Sequence, residues 1–350
     1  MKLKIASFFS GAGGLDLGFE KAGFEIVYAN EYDKAIWKTY EKNFPDTLLD
    51  KRSITDINVE EVPDCDGIIG GPPCQSWSEA GAMRGIDDHR GQLFFNFMDI
   101  LKHKQPYFFL AENVSGMLAD RNSEAFQNIK HKFDDCGYIL KAKLLNASDF
   151  EVPQDRKRII FVGYRKDLGI EYDHPEGFTK LPEEKSTLRD AIFDIKDSAL
   201  AAVGKNDTNG EKCSIPNHEY MNGGFSTIYM SRNRVRAWDQ PSFTIQAGGR
   251  HAPIHPQAPK MVKIEKNKQV FVEAKKDLYR RMTVRECAKV QGFPDDYIFY
   301  YKKVSDGYKM IGNAVPVDFA NILASKIMQD LSGVLKRQKK AQKNKNPEKV

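Results

Sequence analysis

The chain has 350 residues, is 41% hydrophobic and carries a formal net charge of +5, which is enough sequence for one large domain and a smaller one. It contains no run of about 18 apolar residues, which a membrane-spanning helix needs, and its first residues lack the pattern of a secretory signal. These features exclude membrane, collagen-like and wholly disordered proteins, and we expect a cytoplasmic protein.

The first 165 residues alternate short apolar runs with helical patterns. Six runs have the composition of strands: KIASFF, EIVYAN, DGIIGG, YFFLAE, ILKAKLL and RIIFVGY. Between them, apolar residues recur at helical spacing, as at Phe94, Phe97 and Leu101. This alternation predicts βαβ units and a parallel sheet.

From about residue 167 the chain becomes polar and rich in glycine and proline, which predicts a second, loop-rich domain. Its segment 212–263 holds seven lysines and arginines against two acids, so it is a candidate nucleic-acid surface. Helical periodicity returns between Phe319 and Leu331. The last residues, 336–350, hold seven basic residues against one acid, and we expect a disordered tail there.

A glycine cluster lies directly after the first predicted strand. Gly11, Gly13 and Gly14 would let the backbone turn sharply and approach a ligand closely. Glu31 ends the second strand, where an acid can accept hydrogen bonds from ribose hydroxyls. Because the pattern is GxGG and not GxGxxG, we expect an adenosyl ligand without a pyrophosphate rather than a dinucleotide.

Three further positions carry reactive side chains next to strand ends. Two prolines precede Cys74 and hold its thiol at the carboxyl end of a strand, where open α/β sheets bind ligands. A free cysteine is more often buried, but this loop setting favours a nucleophile. Glu112 ends the fourth strand, and the segment 154–158, QDRKR, precedes the last one. Taken singly, these two could be a solvated acid and a charged sheet edge.

Taken in order, the motifs FSGAGGLDLGF, GGPPCQSWS, ENV, QDRKRIIFVG, RECAKVQGFP and GNAVPVDFA resemble the signature motifs of the cytosine-5 DNA methyltransferase family. The resemblance runs from about residue 4 to 330. It implies an α/β, doubly wound Rossmann-like domain over 1–180 plus 304–333 that binds S-adenosylmethionine. It also implies a smaller target recognition domain over 181–303, followed by the tail, 334–350. The expected substrate is double-stranded DNA, bound by a monomer without metal or membrane.

The same resemblance implies roles for individual residues. Cys74 would add to C6 of cytosine, Glu112 would protonate or hold N3, Arg158 would bind the O2 side of the base, and Arg156 would support the catalytic loop. The positions that match the family's cofactor contacts are Phe9, Gly11, Gly13, Gly14, Leu15, Glu31, Tyr32, Ile54, Pro72, Leu93, Asn313 and Val315. Ser53-Ile54 stands where the family usually has Asp-Ile, which leaves the partner of the adenine amine open.

The target base must leave the duplex to be methylated, and the loop from Ser78 to Arg90 has a composition suited to closing over it. Several variable segments also resemble the HaeIII-type, GGCC-specific branch of the family. By that likeness Arg232, Arg234 and Arg250 contact DNA, and arginine suits guanine because its fork is bidentate to O6 and N7. The inner cytosine of GGCC is the expected target, with a cognate restriction endonuclease as genetic partner.

Three other functions use some of the same features. A transfer-RNA cytosine-5 methyltransferase shares the catalytic motifs, although the long basic segment favours duplex DNA. An NAD-dependent oxidoreductase shares the glycine cluster but gives Cys74 and Glu112 no task. A catalytically inactive DNA-binding module would not need Cys74, Glu112 and Arg158 together.

Overall fold

The computed structural model describes residues 2–73, 89–118 and 123–345. Its centre is a seven-stranded sheet in the order β3-β2-β1-β4-β5-β7-β6. The chain winds outward from β1 in both directions, so a crevice opens between the carboxyl ends of β1 and β4, where such sheets bind ligands. The strands are β1 (Lys4–Phe8), β2 (Glu25–Asn30), β3 (Leu48–Asp50), β4 (Gly67–Gly70), β5 (Phe108–Val114), β6 (Tyr138–Asn146) and β7 (Lys157–Arg165).

The prediction of a wholly parallel sheet is wrong for β7, which pairs antiparallel with both β5 and β6. Only residues 147–156 join β6 to β7, and a parallel connection needs a longer crossover, usually with a helix. The reversal has a consequence for the active edge of the sheet. Arg158, near the start of β7, pairs with Val114 at the end of β5.

Helices cover both faces of this sheet, as the doubly wound prediction requires. One face packs against α1 (Gly14–Lys21) and α8 (Val317–Lys345), and the other against α3 (His89–Lys104) and α4 (Ser123–Asp135). The stripe of Phe94, Phe97 and Leu101 is buried on the second face, which confirms its prediction as a core-facing helix. The remaining helices are α2 (Lys34–Asn43), α5 (Leu188–Ile192), α6 (Val284–Val290) and α7 (Val304–Asn313).

The region after residue 180 is loop-rich, as expected, and its regular structure is sparse. It contains the short parallel pair of β8 (Leu200–Ala201) with β9 (Glu219–Tyr220) and the hairpin of β10 (Val262–Glu265) with β11 (Lys268–Val270). Residues 229–279 have a small hydrophobic cluster of their own. Another cluster packs α5, α6 and α7 against α2, so the two predicted domains share part of one core.

Helix α8 continues through Lys345, so residues 334–345 are helical where a disordered tail was expected, and residues 346–350 of that tail lie outside the described residues. Lysine, arginine, glutamine and alanine are good helix formers, which explains how a charged segment extends the helix. Its direction follows from two contacts: Phe319 lies 5.2 Å from Phe150, and the Tyr164 hydroxyl donates to Asp330 at 3.0 Å. Since Tyr164 pairs with Phe108 at the start of β5, α8 runs away from the carboxyl edge of the parallel strands.

Among the helices of the described ranges, none is long and apolar enough to cross a membrane.

Candidate active site

A cavity of about 400 Å³ opens at the carboxyl edge of the sheet, within the size range of small-molecule pockets. It lies at the crevice between β1 and β4, and segments that are distant in sequence form its wall. Most of the predicted site residues meet there: Phe9, Gly11, Gly14, Leu15, Glu31, Pro72, Glu112, Arg156, Arg158, Asn313 and Val315.

The turn after β1 fixes the carboxylate of Glu31. Phe9 and Gly11 both have positive φ, of 55° and 56°, which bends the chain back over the strand end. The Gly11 amide then donates to Glu31 Oε2 at 2.9 Å, and the Asp33 amide donates to Oε1 at 2.7 Å. Burial raises the pKa of Glu31 while these two donors oppose the rise. The carboxylate is therefore held in one orientation at the cavity wall.

The same turn leaves space and an unused polar group for a ligand. A Cβ placed on Gly11 would meet nothing within 4 Å, whereas one on Gly14 would lie 2.5 Å from the carbonyl oxygen of Val315. The buried hydroxyl of Ser10, also on the wall, has no hydrogen-bond partner among the described residues. An adenosyl ligand such as S-adenosylmethionine fits these residues, and Glu31 is the wall carboxylate that would accept from its ribose hydroxyls.

Glu112 and Arg158 form an ion pair at the cavity, with Arg158 Nε 2.6 Å from Glu112 Oε1. Their side chains are only 12% and 15% exposed, and the antiparallel pairing of β5 with β7 brings them together. Beside them, Asn113 Nδ2 donates to the carbonyl oxygen of Pro72 at 3.0 Å. This bond attaches the end of β5 to the turn that precedes Cys74. Cys74 and Ser78 themselves lie outside the described residues.

Arg156 lies behind this pair, with 1% of its surface exposed. Its Nη1 donates to the carbonyl oxygen of Ile245 and its Nη2 to that of Gly312, each at 3.2 Å. Burial, together with the charge of Arg158, lowers the pKa of Arg156 to about 9. The guanidinium therefore joins the loop-rich region to the last turn of α7.

Two buried amides strengthen the same junction. Gln154 Nε2 donates to Gln291 Oε1 at 3.0 Å, and Gln154 Oε1 accepts from the Ile245 amide at 2.9 Å. Gln291 Nε2 in turn donates to the carbonyl oxygen of Ile311 at 2.8 Å. The sequence motifs around residues 154, 291 and 312 thus meet in one buried network, which adjoins Asn313 and Val315 on the cavity wall.

Four predicted cofactor residues do not line the described wall of the cavity. Gly13 caps α1 with φ +75°, Tyr32 is 72% exposed, and Ile54 and Leu93 pack in the hydrophobic core on one face of the sheet. Ile54 was expected as a wall residue, but its short 3₁₀ turn packs it under the sheet. Five further residues line the cavity although no sequence motif had indicated them as site residues: Ser10, Asp16, Asp33, Ile36 and Gly312.

A second cavity, of about 220 Å³, lies in the loop-rich region, and we call it the arginine cavity. It is lined by Arg232 and Arg234, with Asp155, Thr244 and Gln246 nearby. Arg232 is exposed. Arg234 is partly engaged: its Nε donates to the carbonyl oxygen of Tyr229 at 2.8 Å, and its guanidinium lies 4.6 Å from that ring.

Two other arginines of this region differ in what surrounds them. Arg250 is exposed but does not line the described wall of the arginine cavity. Arg236 pairs with Asp155 at 2.9 Å and lies over Phe243. The Arg236 guanidinium is therefore already paired with a protein carboxylate.

Comparison with known proteins agrees with this geometry. The model of the C-5 cytosine-specific DNA methylase family matches residues 3–329. The chain is 57% identical over 331 residues to the Type II methyltransferase M.FnuDI of Fusobacterium nucleatum, covering 94% of this chain and 95% of the relative. It is 56% identical over 335 residues to the Type II methyltransferase M.MthTI of Methanothermobacter thermautotrophicus, covering 96% and 100%.

Solved structures show the same fold. A protein from E. coli, crystallised as a prophage-encoded DNA modification methyltransferase, superposes with a TM-score of 0.69 at 25% identity, covering 95% of this chain and all of that one. Membership of the methylase family excludes the NAD-dependent oxidoreductase considered above. The chain belongs to the C-5 cytosine-specific DNA methylases, and it transfers a methyl group from S-adenosylmethionine to carbon 5 of cytosine in DNA.

Proposed function

We propose that this methyltransferase modifies the inner cytosine of GGCC in duplex DNA, with Cys74, Glu112 and Arg158 acting on the base and Arg156 positioning them. The observation that carries the catalytic part is the Glu112–Arg158 ion pair, 2.6 Å long, at the wall of the cofactor cavity. The Asn113 bond to Pro72 supports it, because it fixes the residues just before Cys74 against the end of β5.

Cytosine C5 is a weak nucleophile, and the proposed roles follow from that. Cys74, as thiolate, adds to C6 of the flipped base, and Glu112 gives a proton to N3 so that the charge of the adduct is neutralised. The cofactor supplies an electrophilic methyl group to C5. Arg158 holds Glu112 and the O2 side of the ring. Loss of the proton from C5, departure of the Cys74 sulfur as thiolate and return of the N3 proton to Glu112 then complete the reaction.

The GGCC specificity is supported by the arginine cavity and by the sequence likeness described above. Arg232 is exposed and can present its fork to a guanine, while Arg234 keeps only part of its donors for DNA. We assign Arg250 to a DNA contact at the edge of this surface. A four-base site with one target cytosine per strand needs a single catalytic set in each event, so a monomer suffices.

The printed names of the relatives, Type II methyltransferases, support a role in a restriction-modification system. We infer a cognate endonuclease as the genetic partner and the cytoplasm as the location.

The catalytic assignment is tested with duplex DNA that carries 5-fluorocytosine at the target, since fluorine cannot leave C5 as a proton does. The wild-type protein should form a denaturant-resistant adduct that maps to Cys74. Cys74→Ser should bind DNA but form no adduct, because a hydroxyl is far less acidic than a thiol. An adduct at another cysteine would overturn the assignment.

The specificity is tested by bisulfite sequencing of DNA from cells that express the protein, because this reports base, position and context together. Methylation should fall on the inner cytosine of GGCC. Comparable methylation outside GGCC would refute the specificity and leave the family membership intact.

A further inference from the structure

Asp16, in the first turn of α1, is a fully buried carboxyl on the wall of the cofactor cavity. None of the steps proposed above uses it. Its two oxygens accept from hydroxyl groups only: Ser7 Oγ donates to Oδ1 at 2.6 Å and the Tyr40 hydroxyl donates to Oδ2 at 2.5 Å. Ser7 belongs to β1 and Tyr40 to α2, so the carboxyl is fixed from two elements.

No lysine, arginine or histidine in the described part of the chain forms an ion pair with Asp16, which has only the Ser7 and Tyr40 hydroxyls as side-chain partners. Its titratable neighbours are Glu20 on the same helix, Tyr40 on α2 and Tyr297 after α6. Burial, and to a lesser degree the charge of Glu20, raises the pKa of Asp16 to about 7 although the Ser7 and Tyr40 hydroxyls oppose the rise. A buried carboxylate without a counter-ion is costly.

The other charged groups on the cavity wall have partners of a different kind. Glu112 pairs with Arg158, Asp33 accepts from Lys309, Glu31 accepts from two backbone amides, and Arg156 donates to two carbonyls. Asp16 therefore stands apart as a wall carboxyl held by neutral hydroxyls. Because none of its surface is exposed, it can act on the positive charge of a bound ligand only at short range through the cavity wall, without direct contact.

S-adenosylmethionine carries a permanent positive charge on its sulfur, and the product, S-adenosylhomocysteine, has a neutral sulfur in its place. We propose that Asp16 supplies the negative charge by which this cavity binds the cationic cofactor in preference to the neutral product. This role of Asp16 affects cofactor binding alone, so it does not depend on the GGCC specificity or on the role of Cys74.

A proton balance follows from this assignment. A cation close to a carboxyl favours the ionised form and lowers its pKa, so part of the Asp16 population loses a proton when S-adenosylmethionine binds. The released proton goes to the buffer. At a pH near 7 this release is a measurable fraction of a proton, and the neutral product should cause much less.

The test is isothermal titration calorimetry of the full chain, without DNA, with three ligands. These are S-adenosylmethionine, sinefungin, which carries a protonated amine in place of the methylated sulfur, and S-adenosylhomocysteine. Asp16→Asn should weaken the two cationic ligands about tenfold, as one pKa unit of charge interaction implies, and the neutral product by less than about twofold. Titration at pH 7 in two buffers of different ionisation enthalpy should give proton release for the wild type and none for Asp16→Asn.

Two more variants make the test decisive. Glu20→Gln removes a half-buried acid from the next turn of the same helix, outside the described cavity wall, and should leave the order of the three affinities unchanged. Tyr40→Phe removes one donor to Asp16 and keeps the ring that stacks 4.6 Å from Phe44. If Asp16→Asn does not fold, Tyr40→Phe should still weaken the cationic ligands selectively, because it disfavours the ionised carboxyl.

Equal weakening of all three ligands in Asp16→Asn would mean that Asp16 only shapes the cavity, and it would overturn the proposal. Unchanged affinities, or proton release that persists in Asp16→Asn, would overturn it as well.

Discussion

Glu112 and Arg158 pair with each other in this structure, although the proposed mechanism needs both side chains to contact the base. In the proposed mechanism Glu112 gives a proton to the base, whereas in this structure its carboxyl is paired with Arg158. Arg158 Nε and Glu112 Oε1 lie 2.6 Å apart in this structure. In the proposed mechanism the N3 and O2 atoms of the cytosine give each side chain a new partner, and proton transfer to the base follows.

We therefore expect Glu112→Gln to lower the rate of methyl transfer by about 10²- to 10⁴-fold, the usual contribution of a general acid. The amide keeps the shape of the side chain, so binding of DNA and cofactor should change little. Single-turnover transfer of a tritiated methyl group measures the effect. Glu176→Gln, an exposed acid paired with Lys143 and Lys180, is the matched control, and a loss of less than tenfold for Glu112→Gln would contradict the role of Glu112.

A second prediction at this scale separates base reading from phosphate binding. Arg232→Ala should weaken discrimination at one defined guanine by about 1–3 kcal/mol, since the exposed Arg232 lines the arginine cavity. Lys260→Ala, at another exposed position, should weaken binding to all sequences alike and lower the salt slope by about one. Binding measured on GGCC and single-substituted duplexes at several salt concentrations decides between them. Equal loss on all duplexes for Arg232→Ala would refute its base-reading role.

At the scale of elements, the cofactor cavity depends on how closely α1 approaches the turn after α7. A Cβ on Gly14 would lie 2.5 Å from the Val315 carbonyl oxygen and 3.0 Å from Ala314 Cβ. Backbone cannot move aside as a flexible side chain can. The glycine at the start of α1 therefore sets the width of the cavity between two segments about 300 residues apart in sequence.

Gly14→Ala should lower the free energy of unfolding by about 1–3 kcal/mol, as overpacking does, and weaken S-adenosylmethionine binding at the same time. Denaturant unfolding and calorimetry measure the two effects. Gly224→Ala is the control, because its added Cβ would meet nothing within 4 Å. Normal cofactor affinity in Gly14→Ala would show that the turn after α7 can move away from α1 without changing the shape of the cavity.

The sequence predicted six of the seven sheet strands, because apolar runs are local signals. Strand-end motifs and the family resemblance predicted 11 of the 24 residues that line the cavity. It missed β3, whose three residues, Leu48–Asp50, are too few for a pattern. The direction of β7 depends on the length of the connection before it, which periodicity does not report. Asp16 was overlooked because a carboxyl on an amphipathic helix normally faces water, and only tertiary packing shows that this one is buried.

At the scale of the whole molecule, the two cavities and the basic end of α8 lie toward opposite edges of the sheet. The catalytic and arginine cavities are built from segments at the carboxyl edge, whereas α8 passes Tyr164 and reaches the opposite edge by Asp330. The basic residues from Lys336 onward belong to the part of α8 beyond that point. They are thus expected to be remote from the bases that are read.

Removal of residues 336–350 should therefore leave the methylated sequence and the turnover rate essentially unchanged, while affinity for DNA and its salt slope fall at most slightly. Methylation mapping and salt titration of the truncated protein check this. Truncation ends beyond Val334, the last α8 residue of the core cluster, so stability should also be kept. Changed methylation sites would contradict the assignment of base reading to the arginine cavity.

The course of α8 also makes the enzyme suitable for fusion to a binding domain after this helix. Residues 336–345 extend the helix by about 15 Å, at 1.5 Å per residue, on the side of the sheet opposite to the cavities. A binding domain fused after Lys345 would then be displayed away from the methylation cleft on a helical spacer. Such a fusion could hold the enzyme at a chosen locus while both cavities stay open to DNA.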